Sequence, residues 1–207
     1  MYLTRLRLDP HNAQARRDLA DPYDMHRTLV RAFVRDEREA PPRILWRLEP
    51  SQAWDDAVVL VQSRDAGDWS FLAGSPGYLQ AAEDALCSKA FEPAGLAQQG
   101  AVVRFRLAAN PTVTRAGKRI GLVGEDSQLE WLGRQGQRHG FDLRSALVCA
   151  GGRLHGRKGS TRMTVLRVLF EGFLEVRDTE SLTRAIVDGI GPGKAFGCGM
   201  LSLARPS

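Results

Sequence analysis

DPYDMHRTLVRAFVR, running from Asp21 to Arg35, carries the start signals of an amphipathic helix. Asp21 suits the N-cap, Pro22 suits the first turn, and Asp24 stands three residues after the cap. Met25, Leu29, Ala32 and Phe33 recur at i, i+4, i+7 and i+8, which gives one stripe to be buried. Tyr23 and His26 are three apart and so are neighbours beside that stripe. Arg27, Arg31 and Arg35 make a basic row on another side. An imidazole, a phenol and a line of guanidiniums on one helix suit work on a phosphate backbone.

Around this helix the hydrophobic pattern changes to alternation. Tyr2 to Leu8 reads as a strand, broken by Pro10 and Asn12. Ile44 to Glu49 and Val58 to Gln62 read as two more, joined by a hairpin across Pro50 to Asp56. Asp68 to Leu72 reads as a short helical turn. The weakly patterned stretch from Gly74 to Pro93 reads as the end of a first unit and a linker, with a turn or two of helix at Ala81 to Leu86. A second unit opens with the strand Ala101 to Leu107, and Asn110-Pro111 ends it. Arg115 to Arg119 follows as a mobile basic loop, then a helix from Glu125 to His139 and a strand from Phe141 to Cys149. Gly151 to Gly159 reads as a basic, glycine-rich turn. Met163 to Phe170 and Phe173 to Arg177 read as two strands around Glu171-Gly172. A helix from Thr179 to Asp188, capped by Thr179, leads into the glycine-rich loop Gly191 to Gly199 and a last strand, Met200 to Leu203.

Each half approximates βαββ(α)β, the order of two helices packed on one face of an antiparallel sheet. The expected class is therefore α+β, with two tandem ferredoxin-like domains at 1–92 and 93–207. A chain of 207 residues has room for both, although the two halves show no sequence repeat.

Hydrophobic content of 43% and charged content of 26% are those of an ordinary globular chain, so composition does not point to disorder. The formal charge of +5 points to an anionic partner, and its distribution says more. From Pro93 to Gly124 there is no acid, while Arg104, Arg106, Arg115, Lys118 and Arg119 are present. From Leu143 to Phe170 there is again none, while Arg144, Arg153, Arg157, Lys158, Arg162 and Arg167 are present. Two such segments read as an electrostatic footprint for nucleic acid; solvated loops are the plainer alternative. Cys87, Cys149 and Cys198 are too far apart for a CxxC metal site, which fits a reducing cytoplasm. The chain opens directly on a strand pattern, so no signal peptide is expected, and no apolar run is long enough to span a membrane.

His26 is the best catalytic candidate of four histidines, because His11 and His139 sit near turns and His155 lies in the basic turn. The positive helix end and Arg27 should disfavour its imidazolium and keep a neutral base available. Tyr23 is either its partner or a half-buried aromatic. In the loop Gly191 to Gly199, Gly193 and Gly197 let a ligand backbone approach and Lys194 adds charge. A tight turn with Gly191 ending the helix explains the same residues. No acid pair has metal-ligand spacing near these features, and no GxSxG, HExxH or CxxC occurs. No cofactor is expected. If RNA is cut, the economical route is metal-independent: its own 2′-OH attacks the adjacent phosphorus while the protein supplies a base, an acid and cations.

MYLTRL and RRDLADPYDMHRTL near the start, ILWRLEP, VLFEGFLEV, and GIGPGKAFGCGMLSLA near the end together resemble the CasE (Cse) family. These are the CRISPR precursor-RNA endoribonucleases of the type I-E Cascade complex, within the RAMP superfamily. GPGKAFGCG is the superfamily's glycine-rich signature and DPYxMHR the family's own. The resemblance spans almost the whole chain. It implies two ferredoxin-like domains, cleavage of repeat RNA at the base of a stem-loop without metal, and retention of the product hairpin. The products would be a 2′,3′-cyclic phosphate or 3′-phosphate and a 5′-OH. It places the catalytic histidine at His26, the tyrosine at Tyr23, and the groove-entering basic segment at Arg153 to Arg162, centred on Arg157 and Lys158. Arg27, Arg31, Arg115, Lys118, Arg119, Arg153 and Arg162 complete the expected RNA-binding set. The expected partners are the repeat hairpin and the other Cascade subunits. The alternatives are a non-catalytic RNA-binding subunit, for which an imidazole near the phosphate has no use, and an ordinary ferredoxin-like regulatory domain, which leaves the basic segments unexplained.

Overall fold

The computed structural model describes residues 1–34, 40–51, 53, 56–158 and 160–206, with the side chain of Lys158 outside the description. Arg35, the last member of the basic row, and Gly159 also lie outside it. The described chain forms two compact units. One is Met1–Phe91 with His155–Met163 and Ala195–Gly197; the other is Glu92–Leu154, Thr164–Lys194 and Cys198–Ser207.

In the first unit, β1 (Tyr2–Leu8) buries Thr4, Leu6 and Leu8 on one face, as its alternation requires. It lies at the centre of an antiparallel sheet with β2 (Leu45–Leu48), β3 (Ala57–Ser63) and β4 (Leu86–Ala90), in the order β2-β3-β1-β4. Among the described residues between β1 and β2 stand α1 (Ala13–Ala20) and α2 (Pro22–Val30), the latter continued by a 3-10 turn at Arg31–Phe33. Met25, Leu29 and Ala32 join Leu6, Leu8, Trp46, Val59 and Val61 in the core, so the stripe read from the sequence is the buried one.

The first unit keeps the expected order but draws its last strand from a stretch read otherwise. The presumed linker supplies β4, paired with β1 from Tyr2↔Ala90 to Leu6↔Leu86, and its Tyr78 is fully buried. All five residues of β4 are exposed, so this edge strand carries no burial pattern to read. Between β3 and β4 the short helical turn read at Asp68 to Leu72 is a 3-10 turn at Ser70–Gly74. The Tyr78 hydroxyl donates to Asp18 on α1 at 3.0 Å. Burial and the adjacent carboxylate hold that phenol far above its usual range.

The second unit contains β5 (Val102–Ala109), a hairpin of β6 (Thr112–Arg115) and β7 (Lys118–Gly121), α3 (Glu125–Arg138), most of β8 (Phe141–Lys158) and β9 (Thr161–Val176), α4 (Thr179–Asp188) and β10 (Leu201–Ala204); residues 155–158 of β8 and 161–163 of β9 belong to the first unit. The sheet order is β10-β5-β9-β8. The segment Arg115 to Arg119, expected as a mobile loop, is the paired end of the β6–β7 hairpin. Ala116 and Gly117 both have positive φ, +47° and +72°, the requirement of a two-residue type I′ turn. The basic glycine-rich turn is likewise strand, because β8 runs unbroken to Lys158. The two strands around Gly172 are one, β9; a Cβ at Gly172 would collide with the Ser145 carbonyl, which explains a glycine inside a strand. Asp178 rather than Thr179 caps α4, its carboxylate accepting from Ser181 N–H at 2.6 Å. Gly189 rather than Gly191 ends it, at φ +75°.

Candidate RNA-cleavage site

Asp21 places the site. One carboxylate oxygen accepts from the Tyr23 N–H at 2.8 Å and caps α2, and Pro22 occupies the first turn, where its missing N–H costs nothing. Burial of Met25, Thr28 and Leu29 then fixes the helix's rotation and leaves Tyr23 and His26 half-buried on a neighbouring face. The His26 Nδ1 is buried without a hydrogen-bond partner. Burial pushes the His26 pKa below 6.5, because a charged imidazolium there is poorly solvated. The direction agrees with the sequence reading, but the cause is loss of water rather than the helix end or Arg27.

The basic row is less free than its spacing implies. Arg27 lies 3.4 Å from Asp24, which also approaches Arg17 at 3.7 Å. The Arg31 guanidinium sits 4.4 Å above the Phe71 ring, a cation–π arrangement.

Asp21 also faces the tip of the β8–β9 hairpin. Its other carboxylate oxygen accepts from the Arg157 N–H at 3.2 Å. Asp21, His155, Gly156, Arg157 and Arg162 together line an open groove of about 400 Å³. Gly156 is buried there: a Cβ would lie 2.8 Å from the Phe196 ring and 3.0 Å from the Asp21 carboxylate. Thus Arg157 and Arg162 line a groove with Asp21, the cap of the helix that carries Tyr23 and His26, and the two cations suit a phosphate.

The remaining expected residues are placed differently. Arg115, Lys118 and Arg119 are exposed on the β6–β7 hairpin and Arg153 on β8, all in the second unit. In the glycine-rich loop, Gly193 (φ +89°) belongs to the second unit and Gly197 (φ +72°) to the first. Lys194 turns back on its own loop, its Nζ donating to the Gly191 carbonyl at 2.8 Å. The sequence reading assigned Asp21 only to the cap and passed over Gly156, whose sole signal is a glycine between His155 and Arg157. Among the described residues no group of three or more His, Cys, Asp or Glu side chains is arranged to hold a metal ion, and no helix is long and apolar enough to cross a membrane.

The chain as a whole has relatives among known proteins. The family described as CRISPR associated protein matches residues 1–205. The CRISPR-associated endoribonuclease Cse3 of Thermus thermophilus is 39% identical over 218 residues, covering 99% of this chain and 100% of the relative. The CRISPR system Cascade subunit CasE of Escherichia coli is 31% identical over 127 residues, covering 52% of this chain and 60% of the relative. A solved structure of Thermus thermophilus Cse3 bound to an RNA representing a pre-cleavage complex is similar with a TM-score of 0.87 at 40% identity, covering 99% of this chain and 98% of that one.

Proposed function

This chain belongs to the CRISPR-associated Cse3 family of endoribonucleases, and on that premise we propose that it cleaves precursor crRNA, without metal, at the base of the repeat stem-loop. Its partners on this reading are the repeat hairpin and the Cascade complex, and it keeps the product hairpin. The ferredoxin-like reading of both domains, 1–92 and 93–207, is supported by their strand orders. Taken as first to fourth principal strand, each sheet runs fourth, first, third, second.

The step is an in-line transesterification. The 2′-oxygen bonds to the adjacent phosphorus, its proton passes to a base, and the bond from phosphorus to the 5′-oxygen breaks. That oxygen takes a proton from an acid. The products are a 2′,3′-cyclic phosphate, open to later hydrolysis to the 3′-phosphate, and a 5′-OH. The observation that carries this reading is His26: a half-buried imidazole whose charged form burial disfavours, one helical turn from a phenol. The neutral form suits acceptance of the 2′-OH proton, and Tyr23 is then placed to serve the leaving oxygen. Arg157 and Arg162 offset the charge gathering on the phosphorane oxygens.

The test is incubation of the purified protein with a repeat hairpin in EDTA. A single cut with the stated ends is expected. The same hairpin with hydrogen in place of the 2′-OH before the scissile phosphate should remain whole. Cutting of that deoxy substrate, or a requirement for magnesium, overturns the mechanism.

A further inference from the structure

We propose that Asp21 is a positioning residue for the cleavage step, a single carboxylate that fastens the β8–β9 hairpin tip to the first turn of the helix bearing Tyr23 and His26. The proposal rests on the endoribonuclease reading above and names the device that registers its two halves. Three observations in the first unit carry it. The two oxygens of Asp21 are divided between the Tyr23 N–H at 2.8 Å and the Arg157 N–H at 3.2 Å. Gly156, adjacent to the second bond, leaves no room for a Cβ against Asp21 and Phe196. The groove beside these bonds is lined by Asp21, His155, Gly156, Arg157 and Arg162, so the carboxylate and both guanidinium-bearing residues border the same space.

A helix cap alone needs one acceptor, and Ser, Thr, Asn and Asp all provide it. Here the two N–H groups meet different oxygens, and among those four side chains only Asp has two acceptor atoms. The charge matters too: a carboxylate accepting two backbone N–H groups makes charge-assisted bonds, stronger than their neutral counterparts. A guanidinium carried on a tip that drifts by an ångström stabilises the transition state less, although it still attracts the RNA.

The distinguishing variants are Asp21→Asn and Gly156→Ala. Asn retains one acceptor, so α2 stays capped while the tip loses its bond. Gly156→Ala crowds the tip against the Phe196 ring and the Asp21 carboxylate, while Asp21 keeps both of its oxygens. In the RNA-free protein, trypsin should cut after Arg157 about tenfold faster in both variants. At saturating hairpin in single turnover, the cleavage rate constant should fall about tenfold to a hundredfold, with Kd unchanged within about threefold. Wild-type nicking with wild-type rates in both variants overturns the proposal. So does a rate loss matched by an equal loss in Kd together with a lowered melting temperature, since Asp21 would then only support the fold. If the wild-type protein leaves the hairpin uncut, the endoribonuclease reading fails and takes the catalytic part of the proposal with it. The trypsin arm marks that case apart, because it reads the docking of the tip without RNA.

Discussion

His26 combines two properties that rarely coincide on a solvated helix: it is half-buried, and its Nδ1 has no partner. Because the fold lowers its pKa, an NMR titration of the RNA-free protein should give it a midpoint below 6.5. The unfolded chain then binds the proton more readily than the folded one. Between the folded midpoint and 6.5 stability rises with pH, and below the folded midpoint the penalty is constant. A bound phosphate acts in the opposite sense, so the uncleavable deoxy hairpin should move the midpoint upward. A midpoint at or above 6.5 in the free protein contradicts the burial argument. His26→Ala should lower the single-turnover rate by about 10²–10⁴-fold while hairpin affinity survives, because affinity comes mainly from cations. A His26→Ala protein that cuts normally moves the site elsewhere, with His155 the next imidazole to test. The spacing of Tyr23 and His26 was open to reading from the sequence alone, since a helix converts three residues into one turn. The burial of Nδ1 was not, since it depends on what packs around the helix.

At the scale of elements, the sequence revealed those whose burial is periodic and concealed those whose burial is not. α2, β1 and β3 each bury a regular stripe or alternate face. By contrast, α1 buries only Ala15 and the charged Asp18, so its helical period carries no hydrophobic signal. Its one local sign is Asn12, which accepts from the amides of Gln14 and Ala15. The glycine-rich loop shows the same limit. Its composition fits contact with a phosphate backbone, yet its geometry demands glycine without any ligand. Gly197 has φ +72° and its missing Cβ would lie 3.1 Å from the buried Trp46 ring; Gly193 has φ +89° and faces Val165 at 3.3 Å. Gly193→Val and Gly197→Val should each lower the unfolding free energy by about 1–3 kcal/mol, read from urea denaturation. Either variant with unchanged stability but weakened RNA binding would return the loop to the role its composition implied.

Across the whole molecule, a segment without acids in sequence is not one without acids in space. Arg106 pairs with Glu171 at 2.7 Å, and Arg144 pairs with Glu175, which also takes Arg177 at 2.8 Å. Those carboxylates come from β9, outside the acid-free stretches, and pairing across a sheet is invisible to a charge count along the chain. Arg115, Lys118, Arg119, Arg153, Arg157 and Arg162 have no ion-pair partner among the described residues, and all six are exposed. The two groups should therefore separate in the salt dependence of hairpin binding. Each cation that sheds counterions from the RNA adds roughly 0.7–0.9 to the slope of log K against log salt. Replacing any one of the six unpaired residues by Ala, if it tracks the backbone, should flatten the slope by about that amount. Arg106→Ala and Arg144→Ala should leave it nearly unchanged, because their charge is already offset within the protein. Reversal to Glu at Arg157 or Arg162 should weaken binding further than Ala does, as like charges then face the phosphates. A slope that is flat for the wild-type protein would mean that cations are not its main hold on RNA. An equal response from both groups would mean that the ion pairs open on binding and that all the arginines act alike.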